Sequence, residues 1–359
     1  MCSNGVEWKT LGEVAKLERG VVISKEYLRD NAGVYPVYSS QTENNGEFGR
    51  INTYRYDGTY VTWTTDGAYA GTVFRRYGKF NITNVCGLIN ILDKDCIDVN
   101  YLYYILSITT KKYVNEGMGN PKLMSNVMAK VKIPLPPLAI QSRIVEILDH
   151  FTNLTANLTA ELALRRKQFE HFREKLLSLD GVPDVEWKTL GKLCEIGTGK
   201  SNRQDALDNG NYPFFVRSKD VLSIDSFEFD EEAVIIPGEG GIGDIFHYIN
   251  GKYALHQRAY RVHPISTKVS GKFLYYYLFA NFKKYINSKA VNAIVTSIRK
   301  PMLEGFPIPL PPLAVQQSIV EQLDKFTALI QNIENELALR QKQYEYYREK
   351  LLSFPSPSL

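Results

Sequence analysis

Ile133-Pro-Leu-Pro-Pro-Leu-Ala139 decides how this chain is read, because it returns as Ile308-Pro-Leu-Pro-Pro-Leu-Ala314, 175 residues later. Each copy opens a segment that ends in Arg-Glu-Lys-Leu-Leu-Ser, at 173–178 and again at 348–353. Leu-Ala-Leu-Arg at 162–165 is matched by Leu-Ala-Leu-Arg at 337–340. Proline fixes its own φ and restrains the residue before it, so each proline run reads as a rigid lead-in to the segment beyond it.

Both of these segments carry apolar residues at alternating steps of four and three. The first copy has Ile144, Leu148, Phe151, Leu158, Leu162, Phe169, Phe172 and Leu176, with Thr155 and Arg165 filling the remaining positions of the stripe. The second has Ile319, Leu323, Phe326, Ile330, Ile333, Leu337, Tyr344, Tyr347 and Leu351, interrupted at Arg340. A stripe with a mean spacing of about 3.5 residues is a coiled-coil seam, not a strand. At a rise of about 1.5 Å per residue each helix would be roughly 60 Å long.

The repeat reaches further out. Val6-Glu-Trp-Lys-Thr-Leu-Gly12 returns as Val185-Glu-Trp-Lys-Thr-Leu-Gly191. The chain therefore divides into a globular domain at 1–137, a long helix at 138–180, a second domain at 181–312, a second long helix at 313–354, and a frayed tail at 355–359. Two tandem copies sharing one seam are most simply arranged with the helices antiparallel. The domains are less alike than the helices, yet Tyr35-Pro-Val-Tyr answers Tyr212-Pro-Phe-Phe and Tyr101-Leu-Tyr-Tyr-Ile-Leu answers Phe273-Leu-Tyr-Tyr-Tyr-Leu.

Within each domain, β-branched and aromatic runs are separated by glycine. Runs 72–77 and 79–83 flank Gly78, and runs 245–249 and 252–255 flank Asn250-Gly251, which predicts a β-hairpin at each. A tyrosine-rich helix comes next, near 100–109 and 271–286. The fold class is α+β: two pseudo-symmetric domains with antiparallel sheets, joined by two long helices in an antiparallel coiled coil. The aromatic residues read as core.

A chain of 359 residues with 44% hydrophobic content can build two cores. Its net charge of +4 permits nucleic-acid binding without requiring it. The four cysteines form no CxxC pair, and no apolar run is long enough to span a bilayer, so the reading is cytoplasmic. The five histidines show no metal-ligand spacing, and neither a metal nor a cofactor is expected.

These features together resemble the specificity subunit of type I restriction-modification systems. The resemblance rests on the two proline runs followed by Gln141 and by Gln316-Gln317, on the helices with Leu-Ala-Leu-Arg and Arg-Glu-Lys-Leu-Leu, and on Tyr35-Pro-Val-Tyr-Ser-Ser-Gln-Thr-Glu-Asn-Asn-Gly46. Many members of that family carry glutamate before the glutamine, where this chain has Ile140 and Val315. The resemblance implies two target-recognition domains, each reading half of a split double-stranded DNA site, with the helices setting the gap. It also implies docking of two adenine methyltransferase subunits and, in the restriction complex, two translocating restriction subunits. The chain itself would be non-catalytic.

Base readout needs donors and acceptors matched to base edges, chiefly arginine or lysine for guanine and asparagine or glutamine for adenine. In the first domain the polar loops offer Ser39, Ser40, Gln41, Thr42, Asn44 and Asn45, then Thr64 and Thr65, then Arg75, Arg76 and Lys79, and finally Asn120 and Lys122. In the second they offer Arg217, Ser218 and Lys219, then Gly240 and Gly241, then His256, Gln257 and Arg258, and finally Thr296, Ser297, Arg299 and Lys300. These loops fall at equivalent places and differ in chemistry.

Gly197-Thr-Gly-Lys-Ser201 imitates the end of a phosphate-binding loop, but the glycine required at the start of that loop is replaced by Cys194. Asp184 with Glu186 and Lys188 imitates a nuclease site, yet the N-terminal copy, Glu7-Trp8-Lys9, has no matching aspartate. The rival to DNA recognition is a coiled-coil adaptor whose domains bind proteins.

Overall fold

The computed structural model of the chain describes residues 6–183, 185–289 and 297–355. Cys2, Asp184, Thr296 and the tail beyond Pro355 lie outside the described residues. The chain forms two compact units, Met1–Asn157 with Leu337–Leu359, and Leu158–Glu336. Each unit therefore combines one globular domain with half of each long helix.

The first unit begins with β1 (Glu7–Thr10), α1 (Leu11–Val14), β2 (Ala15–Arg19), α2 (Lys25–Asp30), β3 (Ala32–Tyr38) and β4 (Glu47–Ile51). It continues with β5 (Tyr56–Thr64), β6 (Val73–Ile82), β7 (Cys86–Ile91), α3 (Val99–Thr109), α4 (Ser125–Met128) and β8 (Lys132–Leu135), then enters α5 (Leu138–Ser178). The second unit repeats the order. It runs through β9 (Glu186–Thr189), α6 (Leu190–Leu193), β10 (Cys194–Thr198), β11 (Tyr212–Phe215), β12 (Val221–Ile224) and β13 (Phe229–Pro237). After these come β14 (His247–Leu255), β15 (Ala259–Pro264), α7 (Gly271–Lys289), α8 (Lys300–Glu304), β16 (Pro307–Leu310) and α9 (Leu313–Leu352).

Both six-stranded sheets have one strand permutation. The orders are β2-β7-β5-β6-β3-β4 and β10-β15-β13-β14-β11-β12. Pairing is antiparallel except for one contact in each sheet, β3 with β6 and β11 with β14, which is parallel. The sheets are thus mixed, because the loop after β4 carries the chain back into the sheet beyond its neighbour.

The expected hairpins at Gly78 and Asn250-Gly251 are absent, and each segment is one unbroken strand. Gly78 lies inside β6 opposite Gly58, and Gly251 lies inside β14 opposite Glu231. Both glycines have positive φ, 73° and 133°. Here the freedom of glycine bends a long strand instead of reversing it. The strand reversals fall elsewhere, at 65–72 and 238–246.

The two sequence segments that repeat most closely pair with each other. Trp8 lies opposite Pro134 in the β1–β8 ribbon, and Trp187 opposite Pro309 in the β9–β16 ribbon. A two-stranded ribbon has free edges, so prolines lacking an N–H are tolerated there. Directly after each ribbon, a glutamine with no exposed surface ties the start of the long helix to its domain. Gln141 accepts from the Asp98 amide at 2.9 Å and donates to the carbonyls of Cys96 and Pro136 at 3.0 and 2.7 Å. Gln316 does the same with the Ser270 amide and the carbonyls of Lys268 and Pro311, at 2.9, 2.8 and 2.9 Å. Ile140 and Val315, beside these glutamines, pack against the cores of their units, a place where a carboxylate would lose its hydration.

Helix α3 buries Tyr101, Leu102, Tyr104, Ile105 and Leu106 against the first sheet, in a core that also takes Ile144 and Leu148 of α5 and Leu351 of α9. In the second unit, Phe273, Leu274, Tyr277 and Leu278 of α7 share a core with Leu177, Ile319 and Leu323. The start of α5 thus packs with the end of α9, and the end of α5 with the start of α9, which makes the helices antiparallel. Ring stacking marks the seam: Phe151 on Tyr347 at 5.4 Å and Phe172 on Phe326 at 5.2 Å. Leu162 and Ile333 are buried, while Leu158, Phe169, Leu176, Ile330, Leu337 and Tyr344 are half-buried. Helix α5 ends with Leu179 in the left-handed region at φ 57°, held there by burial of its side chain.

Candidate nucleic-acid interface

In both domains a fixed set of backbone contacts gathers segments from five parts of the chain at one edge of the sheet. In the first, Val21 bridges Thr83, and the Thr83 amide donates to Tyr38 at 2.9 Å. The amide of Asn84 donates to Val21 at 3.0 Å, and that of Thr65 to Val85 at 3.2 Å. Asp66 bridges Lys122, and the Leu123 amide donates to Thr65 at 2.9 Å.

The second domain reproduces every one of these contacts. Ser201 bridges His256, His256 donates to Phe215 at 2.9 Å, and Gln257 donates to Ser201 at 3.0 Å. Gly238 donates to Arg258 at 2.9 Å, Glu239 bridges Ser297, and Ile298 donates to Gly238 at 2.7 Å. The chain must pass very close to itself for this. A Cβ on Gly20 would fall 1.9 Å from the Ile82 carbonyl oxygen, and one on Gly199 would fall 1.8 Å from that of Leu255.

The side chains on this shared framework differ. In the first domain Ser39, Ser40 and Thr42 are half-buried, and Gln41, Asn44, Asn45, Asn120 and Lys122 are exposed. Ser39 Oγ accepts from Thr83 at 3.0 Å, and Gln41 donates to the Glu47 carbonyl. Asn44 and Asn45 have φ of 47° and 53°, a region that asparagine tolerates better than most residues. Arg19 donates to Thr65 Oγ1 at 2.9 Å and to the Asn84 carbonyl, and lies 3.5 Å from Asp66, which Lys122 approaches at 3.8 Å.

Five sequence candidates in this domain are buried or sit elsewhere. Thr64 and Thr65 are fully buried. Arg76, 1% exposed, is an internal residue: its guanidinium lies 3.6 Å from the Tyr38 ring centre and 4.4 Å from that of Phe74, and donates to the Asn45 carbonyl at 2.7 Å. Burial lowers its pKa from the usual guanidinium value. Arg75 is committed to Asp149 of α5 at 2.8 Å and lies over Tyr103 and Tyr104. Lys79 rests on the Tyr54 ring at 4.4 Å.

In the second domain Arg217, Lys219, Gly240, Gly241, Gln257, Arg258, Arg299 and Lys300 are exposed, Ser218 and Ser297 are half-buried, and His256 is buried. Glu239 accepts from Arg217 Nη1 at 2.9 Å and from Arg258 Nη1 at 3.1 Å, through the same oxygen. The Arg258 guanidinium first, and Arg217 with it, hold the Glu239 carboxyl below the usual carboxylate range. His256 Nδ1 accepts from the Arg258 amide at 2.9 Å, and burial with the nearby arginines lowers its pKa, so the ring is neutral near pH 7. Gln257 donates to Asn202 Oδ1.

Arg19, Asn84, Asn115, Asn202 and Arg203, which are not among the sequence candidates, also belong to this edge. Asn115 bridges Lys122, and Asn202, Arg203, Gln257 and Arg258 share a cleft. The signal available was positional: Gly20 and Gly199 end equivalent strands at close backbone approaches. The same approach explains the imitation of a phosphate loop. Gly199 is packed against Leu255, and the amides of Lys200 and Ser201 donate to the Glu228 carboxylate at 2.9 and 3.2 Å, leaving no amide cradle for a phosphate. Among the described residues no cluster of His, Cys, Asp or Glu could hold a metal ion, and no helix is long and apolar enough to cross a membrane.

A family model for the type I restriction modification DNA specificity domain matches the chain twice, at residues 4–164 and 183–339. The chain belongs to the type I specificity-subunit family. A protein of Mycoplasma pneumoniae named as a type I specificity subunit is 33% identical over 95% of this chain and 96% of its own length. The Escherichia coli EcoR124I/EcoR124II specificity subunit is 32% identical over 98% of this chain and 95% of its own length. The crystal structure of an S subunit from M. genitalium superposes with a TM-score of 0.74, at 18% identity, over 100% of this chain and 99% of that one. This specificity subunit thus shares its fold with a solved relative, and its family with relatives matched over nearly their whole length.

Proposed function

We propose that this specificity subunit reads a bipartite double-stranded DNA site, one half with each domain, at the loop edges described above. The observation that carries the reading is the pairing of six equivalent backbone contacts with unlike side chains. A constant framework presents Arg19, Asp66, Asn84 and Lys122 in one domain and Asn202, Glu239, Gln257 and Arg258 in the other, as two readers of different sequences require. The candidates that retain exposed donors are Gln41, Asn44, Asn45, Asn120 and Lys122, with Arg217, Lys219, Gln257, Arg258, Arg299 and Lys300.

The chain itself is non-catalytic, requires no cofactor and works in the cytoplasm. The helices set the gap between half-sites and present equivalent surfaces, through their repeated sequence, to two adenine methyltransferase subunits. In the restriction complex two translocating restriction subunits join these. A protein-binding adaptor would have no need of two base-reading edges on one framework.

The test is to delete one heptad from each of α5 and α9, which preserves the seam phase and removes ~10 Å, the length of about three base pairs. The methylated motif, read by methylome sequencing of a host carrying the complete system, should keep both half-sites and lose about three unspecified base pairs between them. A change in the half-sites with the gap unaltered would overturn the division of labour.

A further inference from the structure

At the loop edge of the second domain, two arginines from separate loops converge on one carboxylate. Arg217 follows β11, Arg258 lies between β14 and β15, and Glu239 follows β13, so three excursions of the chain meet at one oxygen atom. None of the three is buried: the side chains are 44%, 57% and 39% exposed. A guanidinium has five N–H donors, and each of these spends one on Glu239. Arg203, Ser218 and His256 line the same shallow cleft.

Exposed ion pairs contribute little to stability, so the triad is poorly explained as a fastening. Its pattern of donors flanking an acceptor has a counterpart in the DNA major groove. Guanine presents two acceptors, O6 and N7, which suit the guanidinium fork, and cytosine presents the N4 amino donor, which suits a carboxylate. We propose that Arg217, Glu239 and Arg258 determine a G·C pair in the half-site read by the second domain. One guanidinium donates to guanine, and Glu239 is the positioning residue that holds both in register and accepts from cytosine N4 when the edge is seated. Glu239 also cancels one of the two positive charges, which limits attraction to phosphates of any sequence.

The equivalent place in the first domain cannot do this. There the arginine, Arg19, has already committed its Nη2 to Thr65, Asp66 and the Asn84 carbonyl, and the second cation is a lysine, which lacks the planar fork. The two half-sites therefore differ in how a G·C pair is read.

The inference rests on the proposed reading of DNA by this domain, and the experiment separates the two. Complete complexes carrying Arg217→Gln, Arg258→Gln or Glu239→Gln are compared with the unaltered complex on DNA libraries randomised at one half-site at a time. Discrimination at one G·C pair, in one half-site only, should fall roughly 10- to 100-fold for at least one arginine variant. Glu239→Gln should weaken discrimination at that same pair while raising affinity for unrelated DNA and steepening its salt dependence by about one charge. A fastening role would not confine the loss of discrimination to one G·C pair.

An equal loss of affinity for all sequences, or relaxation at an A·T pair, would overturn the assignment while leaving bipartite reading intact. An unaltered complex showing no two-part preference would overturn the reading itself. Unchanged methylation of sites relaxed only at the affected base pair would show that each variant is folded.

Discussion

Each domain, among the described residues, buries one arginine on the face of its sheet away from the tyrosine-rich helix, and the two are stabilised in opposite ways. Arg261 of β15 is paired with Glu231 at 2.9 Å and with Glu195, while its plane lies over Phe229. Arg76 of β6 faces no carboxylate at bonding distance and sits between two aromatic rings, donating to Thr62 and to the Asn45 carbonyl. The difference shows how two copies of one framework diverge. The two arginines stand on non-equivalent strands, since β15 answers β7 and not β6, and each is tolerated where its own local partners compensate the charge.

The largest expected effect breaks the ionic solution. Arg261→Met should destabilise the second unit by roughly 3–5 kcal/mol, because Glu231 keeps its burial and loses its cation. Chemical denaturation of the complete chain, followed by hydrogen exchange in each unit, would show whether the loss is confined there. Arg76→Met removes a charge that leaves no ion behind, and should cost no more than about 1 kcal/mol in the first unit. Equal losses would mean that the rings and the carboxylates are equivalent partners.

Next in size, and the same in both halves, is the glutamine at each helix start. Gln141→Leu and Gln316→Leu should each cost roughly 2–3 kcal/mol, since each strands a half-buried amide and two carbonyls, one of them fully buried. Matching losses would sharpen the comparison by showing that the joints have not diverged while the domains have. Unequal losses would place divergence in the joints too.

The smallest effect is a pH asymmetry. His247 and His256 of the second unit both have pKa values lowered by burial, so the unfolded chain takes up protons on these residues before the folded one does. Their contribution is complete above the unfolded histidine value of about 6.5 and declines as pH falls through that value toward the lowered folded ones. Between pH 7.5 and 5.5 the second unit should lose stability relative to the first, as read by thermal denaturation with unit-resolved exchange. A larger loss in the first unit would contradict this.

How much of this was legible depends on the range over which each signal acts. The long helices could be read because a seam repeats locally and the prolines mark its start, and duplication made their antiparallel packing the simplest arrangement. The tyrosine helices were legible for the same reason. The strand permutation was not, since no short window records that β3 joins β6 in parallel. Asn250-Gly251 misled because a turn dipeptide carries only a backbone preference, and the β13 ladder on one side of it uses that preference for a bend.

At the site, loop positions were legible and burial was not. Arg76 and Arg258 are both arginines in polar surroundings of the sequence, and only the fold turns one inward and the other out. The place of Arg19 at the edge is not legible in sequence because it depends on Thr65 and Asn84, 46 and 65 residues away.

The two stacked ring pairs of the seam have a genetic consequence. Phe151 and Phe326 hold one position of the repeat, and Phe172 and Tyr347 hold another. Each stack joins one ring of the first kind to one of the second. A stretch of DNA copied from one repeat onto the other therefore carries in a residue that already has a compatible partner. Gene conversion between the copies leaves the 151/326 position unchanged and at 172/347 exchanges only phenylalanine and tyrosine, both of which already stack on phenylalanine, whereas a new mutation in either copy is first tested in one stack alone and, once copied, in both.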